Sequence, residues 1–179
     1  TTTATNIMVS LANSQGQAAV VNYGISSLAF LVADFEQTRD KFQTALLAEP
    51  AAYDMYVERG NQSMWFSMRD DMKDDAEYGK RQRQLAKIYF EAALAAKPDS
   101  FEALTGLTCV ALLDGRKADA INLGRAASAA GSEYAAAQWA YAAALLMSTD
   151  DKLRELGKTI VKKSEVLDPI GLEGKPFPT

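Results

Sequence analysis

Ala86-Lys87-Ile88-Tyr89-Phe90-Glu91-Ala92-Ala93-Leu94-Ala95-Ala96-Lys97-Pro98 is the stretch from which the fold is read. Leu85 and Ala86, Tyr89 and Phe90, and Ala93 and Leu94 return every three or four residues, the spacing of one helix face. Pro98 ends the helix, because the residue before a proline is pushed out of the α region. The pattern occurs again on both sides. Phe42, Ala45 and Pro50 precede Phe90, Ala93 and Pro98 by 48 residues, and Ala120, Ala127 and Ser132 follow Ala86, Ala93 and Pro98 by 34. Several unlike residues displaced by one fixed distance mark an internal repeat, and 34 is a period of stacked helical pairs. The first displacement exceeds the second by 14 residues, so one repeat carries an insertion.

Working outward, the composition agrees with helices. Alanine is abundant while runs of Val and Ile are scarce, which favours helix over strand. The 179 residues suffice for one compact unit or one short array with a core. A net charge of −4 without a long basic stripe speaks against nucleic-acid binding. There is no histidine, which removes imidazole base catalysis, the Ser-His and Cys-His nucleophiles and most zinc sites. Cys109 is the only cysteine, so no intrachain disulfide is possible and redox chemistry leaves the compartment open. No run of 18 apolar residues is present to span a membrane. The chain begins at Thr1 rather than Met, as expected of a processed or trimmed product. The localisation is therefore left open between cytoplasm and periplasm.

Residues 1–16 read as a polar N-terminal segment with a short helix, 17–168 as the repeat array, and 169–179 as a Pro/Gly-rich extended tail. Within the array the expected helices run over 17–32, from Asp34 to Ala48, 52–68, 80–96, 101–113, 117–129, from Ser132 or Glu133 to Met147, and, preceded by Asp150 and Asp151, on to Leu167. Asp34 with Gln37 has the form of a capping pair, Ser100 or Asp99 caps the helix at Phe101, and Gly115 makes a turn. A charged insertion is expected around 69–83.

These positions resemble the tetratricopeptide repeat family. Ala33 to Thr38 with Phe42, Ala45 and Pro50 is similar to the second half of one repeat. Tyr56 and Gly60, then Ala86, Phe90, Ala93 and Pro98, resemble the next. Leu104, Leu107, Ala111, Gly115, Ala120 and Ala127 fit a third, and Trp139, Ala142, Ala143 and Leu146 a degenerate fourth. Two departures stand out in the third repeat, where Thr108 replaces the first-helix glycine and Gly124 the second-helix aromatic. The resemblance implies an all-α antiparallel helix-pair solenoid, a right-handed superhelix of about three and a half to four repeats. It also implies a non-enzymatic adaptor or scaffold that holds a peptide or partner protein in a concave groove.

The family's groove-facing register carries over to Tyr23, Ser27 and Phe30, to Asp54, Val57, Asn61 and Met64, and to Glu102 and Thr105. Cys109 and Leu112 continue that register. Asp54, Glu58 and Glu102 favour a partner with Lys or Arg. Trp65 and Phe66 are adjacent and cannot share one helix face, so they form a second candidate surface. The alternative is a self-assembling subunit that oligomerises through array ends, this aromatic face or the tail. Asp70, Asp71, Asp74, Asp75 and Glu77 lack the spacing of a calcium loop and have Arg69, Lys73 and Lys80 beside them. They read as a solvated insertion that can act as a lid. No catalytic, cofactor or metal site is expected.

Overall fold

The computed structural model describes residues 34–69 and 76–169, together with Asn22 and Ala29. Among the described residues the regular structure is all helical, with seven α-helices, one short 3-10 turn and no strand. The helices are α1 (Phe35–Ala48), α2 (Tyr53–Ser67), α3 (Ala76–Ala96), α4 (Phe101–Leu113), α5 (Lys117–Ala130), α6 (Ala135–Leu146) and α7 (Asp151–Leu167). The 3-10 turn, Pro50–Ala52, leads into α2. The chain forms two compact units that divide between Pro98 and Asp99. The 1–16 segment, the expected helix over 17–32 apart from Asn22 and Ala29, residues 70–75 of the insertion, and tail residues 170–179 lie outside the described residues.

Short polar signals set several helix ends. The Asp34 carboxylate accepts the Gln37 backbone N–H at 3.0 Å. The reciprocal half of a capping box does not form, because the Asp34 N–H already donates to the Ala29 carbonyl at 2.9 Å. Ser100 caps α4 by accepting from Ala103 N–H, and Asp150 caps α7 by accepting from Lys152 N–H. At the end of α4, Arg116 N–H reaches the Ala111 carbonyl and Gly115 N–H the Leu112 carbonyl. Gly115 has φ +72° there, the left-handed residue of a Schellman termination.

Two starts differ from expectation. Helix α3 begins at Ala76, four residues before Lys80, so Gly79 and much of the expected insertion are helical. Glu77 in the first turn suits the helix dipole. Helix α6 begins at Ala135 rather than at Ser132 or Glu133, with Tyr134 as an N-cap lacking a side-chain bond. Tyr134 stays extended because its ring stacks on Phe101, centroids 4.0 Å apart and 19° from parallel. The starts of α4 and α6, and those of α5 and α7, are each 34 residues apart, which is the displacement read from the sequence.

In the first unit, α3 packs against both α1 and α2. Phe42 of α1 stacks on Tyr89 of α3 at 4.6 Å, and Tyr56 of α2 meets both rings edge-on at 5.8 Å. Each pair adds about 0.5–1.5 kcal/mol beyond area burial. In the second unit α4 is buried on nearly every side, from Ala103 and Leu104 through Gly106 to Leu112, as a helix apolar all round must be. It packs on α5 and α6, and α6 packs on α7. Gln138, buried on α6, ties α5 to α6. It accepts from the Ser128 hydroxyl and donates to the carbonyls of Ser128, Gly131 and Ser132. The Ser128 carbonyl, in the last turn of α5, and two carbonyls of the following turn are thereby satisfied.

The same pair of repeat positions meets in each unit, with sizes exchanged. A Cβ added to Gly60 of α2 would lie 2.5 Å from Phe90 Cε1 of α3. Thr108 stands 48 residues after Gly60, and Gly124 stands 34 after Phe90. A Cβ on Gly124 would lie 3.3 Å from Thr108 Cγ2 and 2.9 Å from Tyr141 Cα. Small and large residues are thus exchanged between the two helices of the pair. The glycine moves to the other helix, and the space it leaves admits Tyr141 of α6.

Candidate functional site

Helix α2 presents two faces. Tyr56, Gly60, Ser63 and Met64 are buried. On the opposite side Asp54, Glu58, Asn61, Trp65 and Met68 recur at intervals of four and three residues and are all exposed. Trp65 is 57% exposed and Met68 40%, large apolar surfaces for residues beside a packed core.

The charge on this face is unbalanced. Elsewhere in the unit Arg39 lies beside Glu36 and Asp40, Lys80 beside Glu77, and Lys87 beside Glu91, while Asp34 and Glu49 have no ion-pair partner among the described residues. Asp54 and Glu58 have no such partner among the described residues. Arg59, next in sequence, turns away and donates to Gln62 Oε1 at 2.9 Å. Like charges four apart on a helix destabilise it by about 0.2–0.5 kcal/mol. The N-terminal dipole accounts for Asp54, in the first turn, but not for Glu58. The Asn61 amide makes no hydrogen bond among the described residues.

Trp65 and Phe66 differ in burial, Trp65 exposed and Phe66 half-buried, yet their rings are in edge contact at 5.1 Å. The Arg69 guanidinium lies 5.2 Å from the Trp65 centroid and 5.9 Å from that of Phe66. This cation–π contact holds the indole at the end of the exposed row.

The residues expected to line a groove fall into three groups. Tyr23, Ser27 and Phe30 lie outside the described residues. On α2, Asp54 and Asn61 are exposed and Val57 is half-buried, but Met64 is only 6% exposed and belongs to the core. Its position is turned about 80° from the exposed row, enough to bring it onto the buried face. Glu58 and Met68, absent from the expected groove set, belong to the exposed row. On α4, Glu102 is half-buried and accepts from the Ser100 hydroxyl at 3.2 Å. The Thr105 hydroxyl oxygen is buried without a hydrogen-bond partner. Cys109 and Leu112 are core residues of the second unit. Burial pushes the Cys109 thiol up to about 12, so it stays protonated and unreactive at neutral pH.

Among the described residues no three His, Cys, Asp or Glu side chains gather as metal ligands, and no helix is long and apolar enough to cross a membrane. Asp70, Asp71, Asp74 and Asp75 lie outside the described residues. Compared with known protein families and with curated proteins, the chain has no match.

Proposed function

We propose that this chain is a non-enzymatic interaction module of the tetratricopeptide type, its helix pairs forming a solenoid that holds a peptide or partner protein. The observation that carries the reading is the outward row of α2. It combines exposed Trp65 and Met68 with the Asn61 amide and the Asp54 and Glu58 carboxylates, none of which has a partner among the described residues. Such a mixture adapts to peptides through apolar area while polar groups select among them. The solenoid part is supported by helix starts recurring at 34 residues and by the exchanged Gly60–Phe90 and Gly124–Thr108 pairs.

A second reading, self-assembly, is favoured by the terminal helix α7, where Val166 is 79% and Leu156 42% exposed. Light scattering across a wide concentration range separates the two. A constant monomer mass, with peptides selected from a displayed library losing affinity on Trp65→Ala, supports the peptide-holding module. Mass that rises with concentration and reverts on Leu156→Ser with Val166→Ser would overturn it in favour of assembly.

A further inference from the structure

We infer that the outward face of α2 takes an extended segment with a lysine or arginine held between Asp54 and Glu58 and an apolar side chain on Trp65 and Met68. The inference rests on the peptide-holding reading and narrows it to one partner chemistry. Charge complementarity is the argument. Asp54 and Glu58 lie one turn apart, exposed, and no cation engages them among the described residues. The basic residue that could do so, Arg59, is committed to Gln62. One cation between the two would relieve their repulsion and donate charge-assisted hydrogen bonds to both. The opposite end of the row carries the exposed Trp65 and Met68, with the Arg69 guanidinium over the indole, and Asn61 lies between the ends, where an amide can both donate to and accept from an extended backbone.

The row also sets a spacing. Glu58 and Trp65 are seven helical positions apart and Asp54 and Met68 fourteen, so roughly 10 to 21 Å of helix axis separates cation from apolar subsite. An extended chain advances about 3.3 Å per residue, which puts the basic and apolar residues about three to six positions apart.

The test is a titration of the full chain, isotope-labelled for amide NMR, with synthetic decapeptides. Each carries one lysine and one leucine at separations from two to eight, with a glutamate-for-lysine control. Separations of three to six should shift the α2 amides and the Trp65 indole N–H, and the glutamate peptides should bind roughly tenfold more weakly or worse. Asp54→Asn with Glu58→Gln should erase the lysine preference, and Trp65→Ala should weaken all peptides alike. All three positions are exposed, and an unchanged melting curve checks the fold; Glu58→Gln alone serves as a milder variant. Equal binding of lysine and glutamate peptides, or shifts confined to residues outside α2, would overturn the inference and leave the peptide-holding reading standing. No shift at millimolar peptide overturns the inference, and if the mass also grows with concentration that reading falls with it.

Discussion

Replacing Gly60 by alanine should destabilise the protein, and the loss should vanish once Phe90 is cut back. The added Cβ would stand 2.5, 2.7 and 2.8 Å from Cε1, Cζ and Cδ1 of Phe90. Phe90 is fully buried, so its ring has no open direction in which to swing. Forcing a methyl into such packing costs about 1–3 kcal/mol, with the upper half expected for three overlapping ring atoms. Alanine regains about 1 kcal/mol of helix propensity over glycine. The net expectation for Gly60→Ala is a loss of about 1–2 kcal/mol. Phe90→Ala alone should cost about 3–5 kcal/mol. On that background Gly60→Ala meets a cavity instead of a ring, and only the propensity gain of about 1 kcal/mol remains. The cycle should therefore show a coupling of about 2–3 kcal/mol, measured by urea unfolding followed by far-ultraviolet circular dichroism. Phe90→Leu replaces Phe90→Ala if the larger truncation leaves too little folded protein. Additivity within about 0.5 kcal/mol would refute the close α2–α3 approach. A contrast lies in the second unit: Gly124→Ala meets the Tyr141 backbone at 2.9 Å, so Thr108→Ala should relieve it only in part.

Other outcomes follow from single residues. Gln138→Leu removes the hydrogen bonds to Ser128, Gly131 and Ser132, and should cost about 1–3 kcal/mol in the same unfolding assay. Thr105→Val replaces an unpartnered buried hydroxyl by a methyl group and should be neutral or stabilising by up to about 1 kcal/mol. Gly115→Ala has free space for its methyl but needs the left-handed backbone, so it should lose about 1–2 kcal/mol and Gly115→Asn less. Cys109 should react with a disulfide reagent at pH 8 only as fast as the second unit opens. Its folded-state pKa is raised from the ordinary 9.0 to about 12, so the unfolded chain releases the thiol proton first. That contribution is intact below pH 9 and falls as pH rises from 9 towards 12, and a pH-dependent melt should show a smaller fall in Cys109→Ala.

What was legible in the sequence is what depends on neighbours along the chain. Asp34, Ser100 and Asp150 announce helix starts because a short polar side chain reaches amides two or three residues on. Gly115 announces an end because few other residues accept a positive φ. Where tertiary packing decides, the same reasoning stops. Leu85 and Leu94 on α3 satisfy the periodicity as well as Ala86 and Ala93 do, yet they are half-buried while Ile88 and Ala92 lie in the core. Helix α3 packs against two helices, and the directions they occupy are not written in its own spacing. Thr108 and Gly124, taken singly, each weaken the repeat pattern; only their contact identifies an exchange of volume across one helix pair. The candidate site is harder still to read, since repeat-defining residues are packing residues and selectivity resides in what packing leaves outside. Asp54 and Glu58 are ordinary helix-surface acids until Arg59 is found turned to Gln62, a rotamer choice no one-dimensional pattern encodes. Met64 and Met68 are the same residue type one turn apart, but Met64 is buried while Met68, where α2 ends, is exposed. A charge left unpaired beside an apolar surface left uncovered is therefore a property of the folded unit, and it is where a partner's chemistry can be inferred.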